Sequence, residues 1–332
     1  KSGHPGGAMG GADFVNVLFS EFLVYDPKNP AWEGRDRYFQ DPGHMSPMLY
    51  SVLALAGKFT IDELKEFRQW GSVTPGHPEV NVMRGIENTS GPLGQGHTYA
   101  VGAAIAAKFL KARLGDVMNQ TIYTYISDGG IQEEISQGAG RIAGTLGLDN
   151  LIMFYDANNI QLSTTVGEVT TENVAMKYEA WGWKVITING NDVTEIRRAL
   201  TEAKAETSRP TLIIGNTIMG KGAVGADKSS YENKVSTHGQ PLSAAGVSIA
   251  DTIRNLGGNP DDPKLRNYMP NVLKNWKQSL RNAMRPKQNG RKLIRNWPPR
   301  WICGSQAKHL SSTGRLSNRN RTKRPVRPRQ PS

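Results

Sequence analysis

The chain has 332 residues, 37% hydrophobic and 21% charged, the balance of a globular protein long enough for one large or two ordinary domains. Its net charge of +12 would point to nucleic acid if spread evenly, but fourteen Lys and Arg and no Asp or Glu lie from Arg285 to Ser332, and removing those fourteen leaves −2 on residues 1–284. One cysteine, Cys303, excludes an internal disulfide framework, and the sequence holds no apolar run of about 18 residues, so the expectation is a cytoplasmic protein that does not enter the membrane.

In chain order, Ser2-Gly3-His4-Pro5-Gly6 reads as a loop with no element before it, from which we expect a truncated N-terminus. Met9 to Tyr25 places small and apolar residues at helical spacing, and Thr60 is a suitable N-cap for a helix over Asp62 to Trp70. The glycine-rich Ser90-Gly91-Pro92-Leu93-Gly94-Gln95-Gly96 feeds an alanine-rich helix from Tyr99 to Ala112, and such a loop can hold an anion or a ring. β-type runs follow at Thr121 to Ile126, Leu151 to Tyr155, Trp183 to Ile188 and Thr211 to Asn216, separated by helical stretches at Glu133 to Leu146, Asn173 to Trp181 and Val193 to Glu206. This alternation predicts an α/β fold, a doubly wound parallel sheet with helices on both faces. Ligands of such sheets sit at the carboxyl ends of strands, where the polar loops beginning at Ser127 and Asp156 fall.

A Gly, Lys and Ser-rich loop over Gly220 to Ser236 precedes a helix over Leu242 to Leu256, and the domain is expected to end near Gly258. Within 259–284, Pro263 to Ala283 reads as one more helix leading toward a missing second domain. The basic stretch 285–332 has no sustained apolar period and several prolines, which predicts disorder. A nucleic-acid arm is the functional alternative, though no aromatic-basic interleaving accompanies it. We favour a shifted reading frame, because Thr313 to Val326 can be back-translated and read one base earlier as an ordinary mixed-charge segment ending in Ala-Thr-Arg.

Two loops carry the strongest chemistry. Asp128, the amide oxygen of Asn158 and the carbonyl of Ile160 are hard oxygen ligands, suited to magnesium or calcium that also binds phosphate, and Gly129 lets the backbone approach a diphosphate. Taken alone, Asp-Gly and Asn-Asn are also common turn residues. Five histidines, His4, His44, His77, His97 and His238, all sit beside a glycine in expected loops, without the close spacing of a zinc helix. Proton transfer around a sugar carbonyl is the better use of them. Gly91 to Gly96 is neither a P-loop nor a GxGxxG fingerprint, and Met219-Gly220-Lys221-Gly222 is assigned no catalytic role.

In order, the His4 motif, Pro42-Gly43-His44-Met45-Ser46, Pro75-Gly76-His77-Pro78-Glu79, Gly91 to Gly96, Asp128-Gly129 with Asn158, and His238-Gly239-Gln240-Pro241-Leu242 resemble the transketolase pattern from residue 2 to about 256. The resemblance implies a thiamine-diphosphate-binding fold in which Asp128, Asn158 and Ile160 hold the metal and Gly129 lies against the diphosphate. It implies further that His44 and His238 touch the cofactor, that Gly91, Pro92 and Leu93 pack beside its aminopyrimidine, and that His4, His77 and His238 line the substrate channel. Glu133 matches an acidic position near the family's dimer contact, so a homodimer is implied. The implied reaction passes a two-carbon ketol unit from a ketose phosphate to an aldose phosphate in the pentose phosphate pathway, with no nucleic-acid partner. Two departures stand out: Ser127 replaces the first glycine of Gly-Asp-Gly, and the family's second domain, with its activating glutamate and phosphate-gripping arginines, has no counterpart here. Weak cofactor binding and little turnover are therefore expected of this chain alone. The alternatives are the N-terminal half of a split transketolase working with a partner chain, and a basic nucleic-acid-binding protein.

Overall fold

A computed structural model describes residues 2–261. The chain divides into two units, Lys1–Arg291 and Lys292–Ser332, and every described residue belongs to the first. The expected helix over Pro263 to Ala283, the basic tail and Cys303 lie outside the described residues.

Helix α1 (Pro5–Gly10) starts on a proline, whose fixed φ and missing N–H suit a first helical turn. It is followed by α2 (Ala12–Val17) and a π-type turn over Leu18–Phe22. The single helix expected over Met9 to Tyr25 is thus interrupted: a Cβ on Gly11 would lie 2.1 Å from the Tyr125 hydroxyl, so the backbone passes where no side chain fits. Strand β1 (Arg37–Gln40), absent from the sequence reading, precedes α3 (Ser46–Leu55) and α4 (Ile61–Lys65). Thr60 caps α4 as expected, accepting the Glu63 N–H at 3.1 Å while Glu63 accepts the Thr60 N–H at 2.8 Å. The helix nevertheless ends at Lys65 rather than at Trp70, and Arg68 takes a left-handed φ of 63° with its N–H on the Thr74 carbonyl.

Next come α5 (Gln95–Leu114), β2 (Ile122–Ser127), α6 (Asp128–Gln132), α7 (Glu134–Thr145), β3 (Leu151–Ala157), α8 (Val174–Ala180), β4 (Lys184–Asn189), α9 (Val193–Ala205) and β5 (Thr211–Asn216). Two short helices close the described part, α10 (Ser236–Gly239) and α11 (Ile249–Asn255). Of the stretch expected as a helix over Leu242 to Leu256, only Ile249–Asn255 is helical; the part before it is mostly turns.

The five strands are parallel, in the order β1-β2-β3-β5-β4. Alternation along each strand divides the core between the two faces. Tyr123, Tyr125, Ile152, Phe154 and Ile213 point to the face covered by α2, α3 and α9. Ile122, Ile126, Leu151, Met153, Leu212 and Ile214 point to the face covered by α5, α7 and α8. The connection through α9 runs back from β4 to β5, opposite to the earlier crossovers, and right-handedness then demands the opposite face. The doubly wound architecture with helices on both faces is therefore present. In register, Ser127 stands beside Asp156 at the ends of β2 and β3, which makes neighbours of the two loops singled out from sequence.

Candidate functional site

A cavity of about 370 Å³ opens at the carboxyl ends of the strands. Its walls hold His4, His44, His77, Gly91, Leu93, Asp128, Gly129, Asn158, Ile160 and His238, so the structure brings together every candidate site residue except Pro92, which is exposed beside it. Gly7, Met45, Ser127, Gln161, Leu162 and Met219 complete the lining; Met45, Ser127 and Met219 lie in motifs that the sequence brought out without a site role for them, and Gly7, Gln161 and Leu162 lie in none.

Each element delivers its side chain for a local reason. His4 precedes α1 as its N-cap, and His44 follows β1 in a short 3-10 turn. A Cβ on Gly43 would lie 2.9 Å from the His77 ring and 2.9 Å from the Gly91 N, so glycine there lets both loops close on the cavity. Asn159 adopts a left-handed φ of 63°, which asparagine tolerates, and the Ile160 N–H donates to Asn158 Oδ1 at 3.0 Å. His238 donates from Nδ1 to the Ile160 carbonyl at 3.2 Å, which defines its tautomer.

The rings of His4, His44 and His238 form a cluster with centroids 5.1 to 6.0 Å apart. Burial lowers the pKa of His44 to about 3 and of His4 to about 4, with the neighbouring imidazoles and Arg68 adding to the effect. His77 and His238 are lowered too, mainly by burial. At neutral pH these imidazoles are uncharged, and His4 Nδ1 is buried without a hydrogen-bond partner.

In the same cavity wall, Asp128 Oδ1 accepts the Tyr155 hydroxyl at 2.5 Å, while Oδ2 is buried and makes no hydrogen bond. Burial, with the Asp156 charge adding to it, pushes this carboxyl up to about 7, and the Tyr155 hydroxyl and the nearby Asn159 and Asn158 N–H groups oppose the shift without cancelling it. Beneath it, fully buried Asp156 accepts the Tyr125 hydroxyl at 2.7 Å and the Thr217 hydroxyl, and burial pushes it up to about 6. The sequence reading used Asp156 only to mark a loop, because an aspartate at a strand end looks like a turn residue.

An idle carboxylate oxygen beside a second buried carboxyl is a place where a cation lowers the energy. Asn158 Oδ1 and the Ile160 carbonyl each accept one hydrogen bond and retain a second lone pair. No cluster of three or more His, Cys, Asp or Glu able to hold a metal occurs among the described residues; Asp128, Asn158 and Ile160 could offer one carboxylate and two neutral oxygens. That set suits a hard cation whose shell phosphate oxygens complete, and it fits a metal-bound diphosphate. Leu93, Met45, Leu162 and Met219 supply apolar walls for rings.

Among the described histidines, His97 alone lies outside the cavity. It is fully buried in α5, with Nδ1 at 2.7 Å from Ser136 Oγ and its ring edge-on to Trp183. Burial lowers its pKa to about 3, so the fold holds it neutral while the unfolded chain protonates it below about 6.5. Stability is thereby lost as pH falls from about 6.5 toward 3. Between pH 7.5 and 5.5 the parent should lose about 1.4 kcal/mol relative to His97→Gln, measured by urea unfolding. Parallel curves would rule this out.

A doubly wound α/β domain whose cavity at the strand ends gathers uncharged imidazoles and carboxylate, amide and carbonyl oxygens belongs to a class suited to a diphosphate-bearing cofactor. A family model described as "Transketolase, thiamine diphosphate binding domain" matches residues 1–313. The chain is 44% identical over 258 residues to transketolase 1 of Escherichia coli, covering 75% of this chain and 38% of that protein. It is 43% identical over 253 residues to the transketolase of Geobacillus stearothermophilus, covering 74% and 37%. A solved transketolase from Leishmania mexicana superposes with a TM-score of 0.81 at 36% identity, over 89% of this chain and 44% of that one, and one from Campylobacter jejuni with 0.79 at 38%, over 89% and 45%. The chain belongs to the transketolase thiamine diphosphate binding domain family. It spans less than two fifths of the length of these two curated relatives.

Proposed function

We propose that the cavity binds thiamine diphosphate through a magnesium ion, and that the whole protein transfers a two-carbon ketol unit from a ketose phosphate to an aldose phosphate. The observation that carries this reading is that Asp128, with one idle buried oxygen, and three clustered neutral histidines line one cavity at the strand ends. Asp128, Asn158 Oδ1 and the Ile160 carbonyl would hold the metal, and Gly129 would admit the diphosphate close to the backbone. Gly91 and Leu93 would pack beside the cofactor's ring, with Pro92 outside the wall, while His44 and His238 touch it. Bound thiamine diphosphate supplies the electron sink for breaking a ketose carbon–carbon bond.

The chain's own part is positioning and proton handling. His4 and His77, uncharged at neutral pH, would accept hydroxyl protons of the sugar, and His238, whose Nδ1–H is committed to Ile160, would offer Nε2. Phe109 of α5 and Ile135, Ile142 and Leu146 of α7 are large and exposed, which supports pairing with a second copy. No helix among the described residues is long and apolar enough to cross a membrane. Titration calorimetry of thiamine diphosphate into the chain, with and without magnesium, tests the reading. Heat of binding that requires the metal is expected; metal-independent binding would overturn the assignment of Asp128, Asn158 and Ile160.

A further inference from the structure

Asp41 is fully buried and does not line the cavity, yet its carboxylate organises the loop that does. Oδ1 accepts the Gly94 N–H at 3.0 Å; Oδ2 accepts the Gly96 N–H at 2.9 Å and the His97 N–H at 3.4 Å. Its backbone is fixed as well, the N–H donating to the Tyr125 carbonyl at 3.0 Å and the carbonyl accepting the Ser90 hydroxyl at 2.7 Å. Helix α5 has 20 residues and begins after Gly94, which has no side chain to cap it. A carboxylate from 53 residues earlier therefore satisfies the free N–H groups and meets the positive end of the helix dipole.

The same side chain is a wedge. A Cβ on Gly96 would lie 2.5 Å from Asp41 Cα, and one on Gly130 would lie 2.4 Å from Asp41 Oδ1. Asp41 thus fills the space between the Gly91–Gly96 loop and the turn that begins at Asp128. On the cavity side the two loops meet directly, since a Cβ on Gly129 would be 2.9 Å from Leu93 Cδ1.

We propose that Asp41 is a positioning residue, which from behind the cavity sets the Gly91–Gly96 loop against the Asp128–Gly129 turn and so fixes the width of the cofactor slot. This rests on the cofactor reading above. Asn at this position keeps the shape but has one acceptor in place of two and turns an N–H₂ group toward the Gly96 and His97 donors.

The test compares the parent chain with Asp41→Asn by amide hydrogen exchange and by titration of thiamine diphosphate with magnesium. Exchange should quicken about tenfold or more at Gly94, Gly96 and His97, with the amides of β3 and β5 unchanged, and the Kd should rise about tenfold. Faster exchange throughout the sheet would mean a general loss of stability and would overturn a positioning role. Unchanged exchange at the three amides would overturn it too, as would a Kd within twofold of the parent. If the parent itself binds no cofactor while those amides are protected in it, the cofactor reading fails and this inference with it, an outcome separate from failure of Asp41 alone.

Discussion

Asp128→Ala is expected to weaken metal-dependent thiamine diphosphate binding more than about 100-fold. Of the three oxygens that would hold the metal, only Asp128 brings a charge; the Asn158 amide and the Ile160 carbonyl are neutral and each already accepts a hydrogen bond. A divalent ion left with neutral donors has too little to offset its hydration. The cause is separable from misfolding, because the parent carboxylate is buried with an idle oxygen and, without a cation, is a cost to the fold. Asp128→Asn keeps an acceptor for the Tyr155 hydroxyl, so at pH 8 without metal it should melt no lower than the parent while binding is still lost. Calorimetry and thermal melts of the two variants check both halves. Binding within tenfold of the parent in Asp128→Ala would remove this residue from the metal site.

The second large effect concerns the scaffold. Helix α7 lies so close to the turn before β4 that a Cβ on Gly144 would sit 1.7 Å from the Trp181 carbonyl oxygen, and Trp183 Nε1 donates to the Gly140 carbonyl at 2.8 Å in the same contact. Backbone on the opposing side cannot swing away as a side chain can. Gly144→Ala should therefore cost about 3 kcal/mol or more, or prevent folding. Gly138 in the same helix has open space where its Cβ would go, and there the gain in helix propensity dominates. Gly138→Ala should stabilise by about 0.5–1 kcal/mol, giving a pair of opposite sign from one chemical change. Urea midpoints measure both; a Gly144→Ala protein within 1 kcal/mol of the parent would show that the helix can lift off the turn.

The central strands were legible because they are buried on both faces, so β2, β3 and β5 are nearly continuous apolar runs that no surface helix would contain. Strand β1 was not. It has four residues behind Arg35-Asp36, and those charges look like a surface loop until Arg35 and Arg37 are seen to bond Glu87, 52 and 50 residues away. The same limit hid Asp41 and Asp156, whose partners lie far along the chain. Adjacency to glycine found the four cavity histidines, yet it described His97 equally well, since spacing does not reveal which way a side chain faces. Motif order carried the site further than any single motif, because the ends of β1, β2 and β3 gather loops that are distant in sequence.

A crystal of the chain grown with thiamine diphosphate and manganese in place of magnesium would place the ion by its anomalous scattering. One peak is expected, bound by Asp128 Oδ2, Asn158 Oδ1 and the Ile160 carbonyl, with the diphosphate against Gly129. A cofactor ordered elsewhere, or a peak whose ligands exclude Asp128, would contradict it.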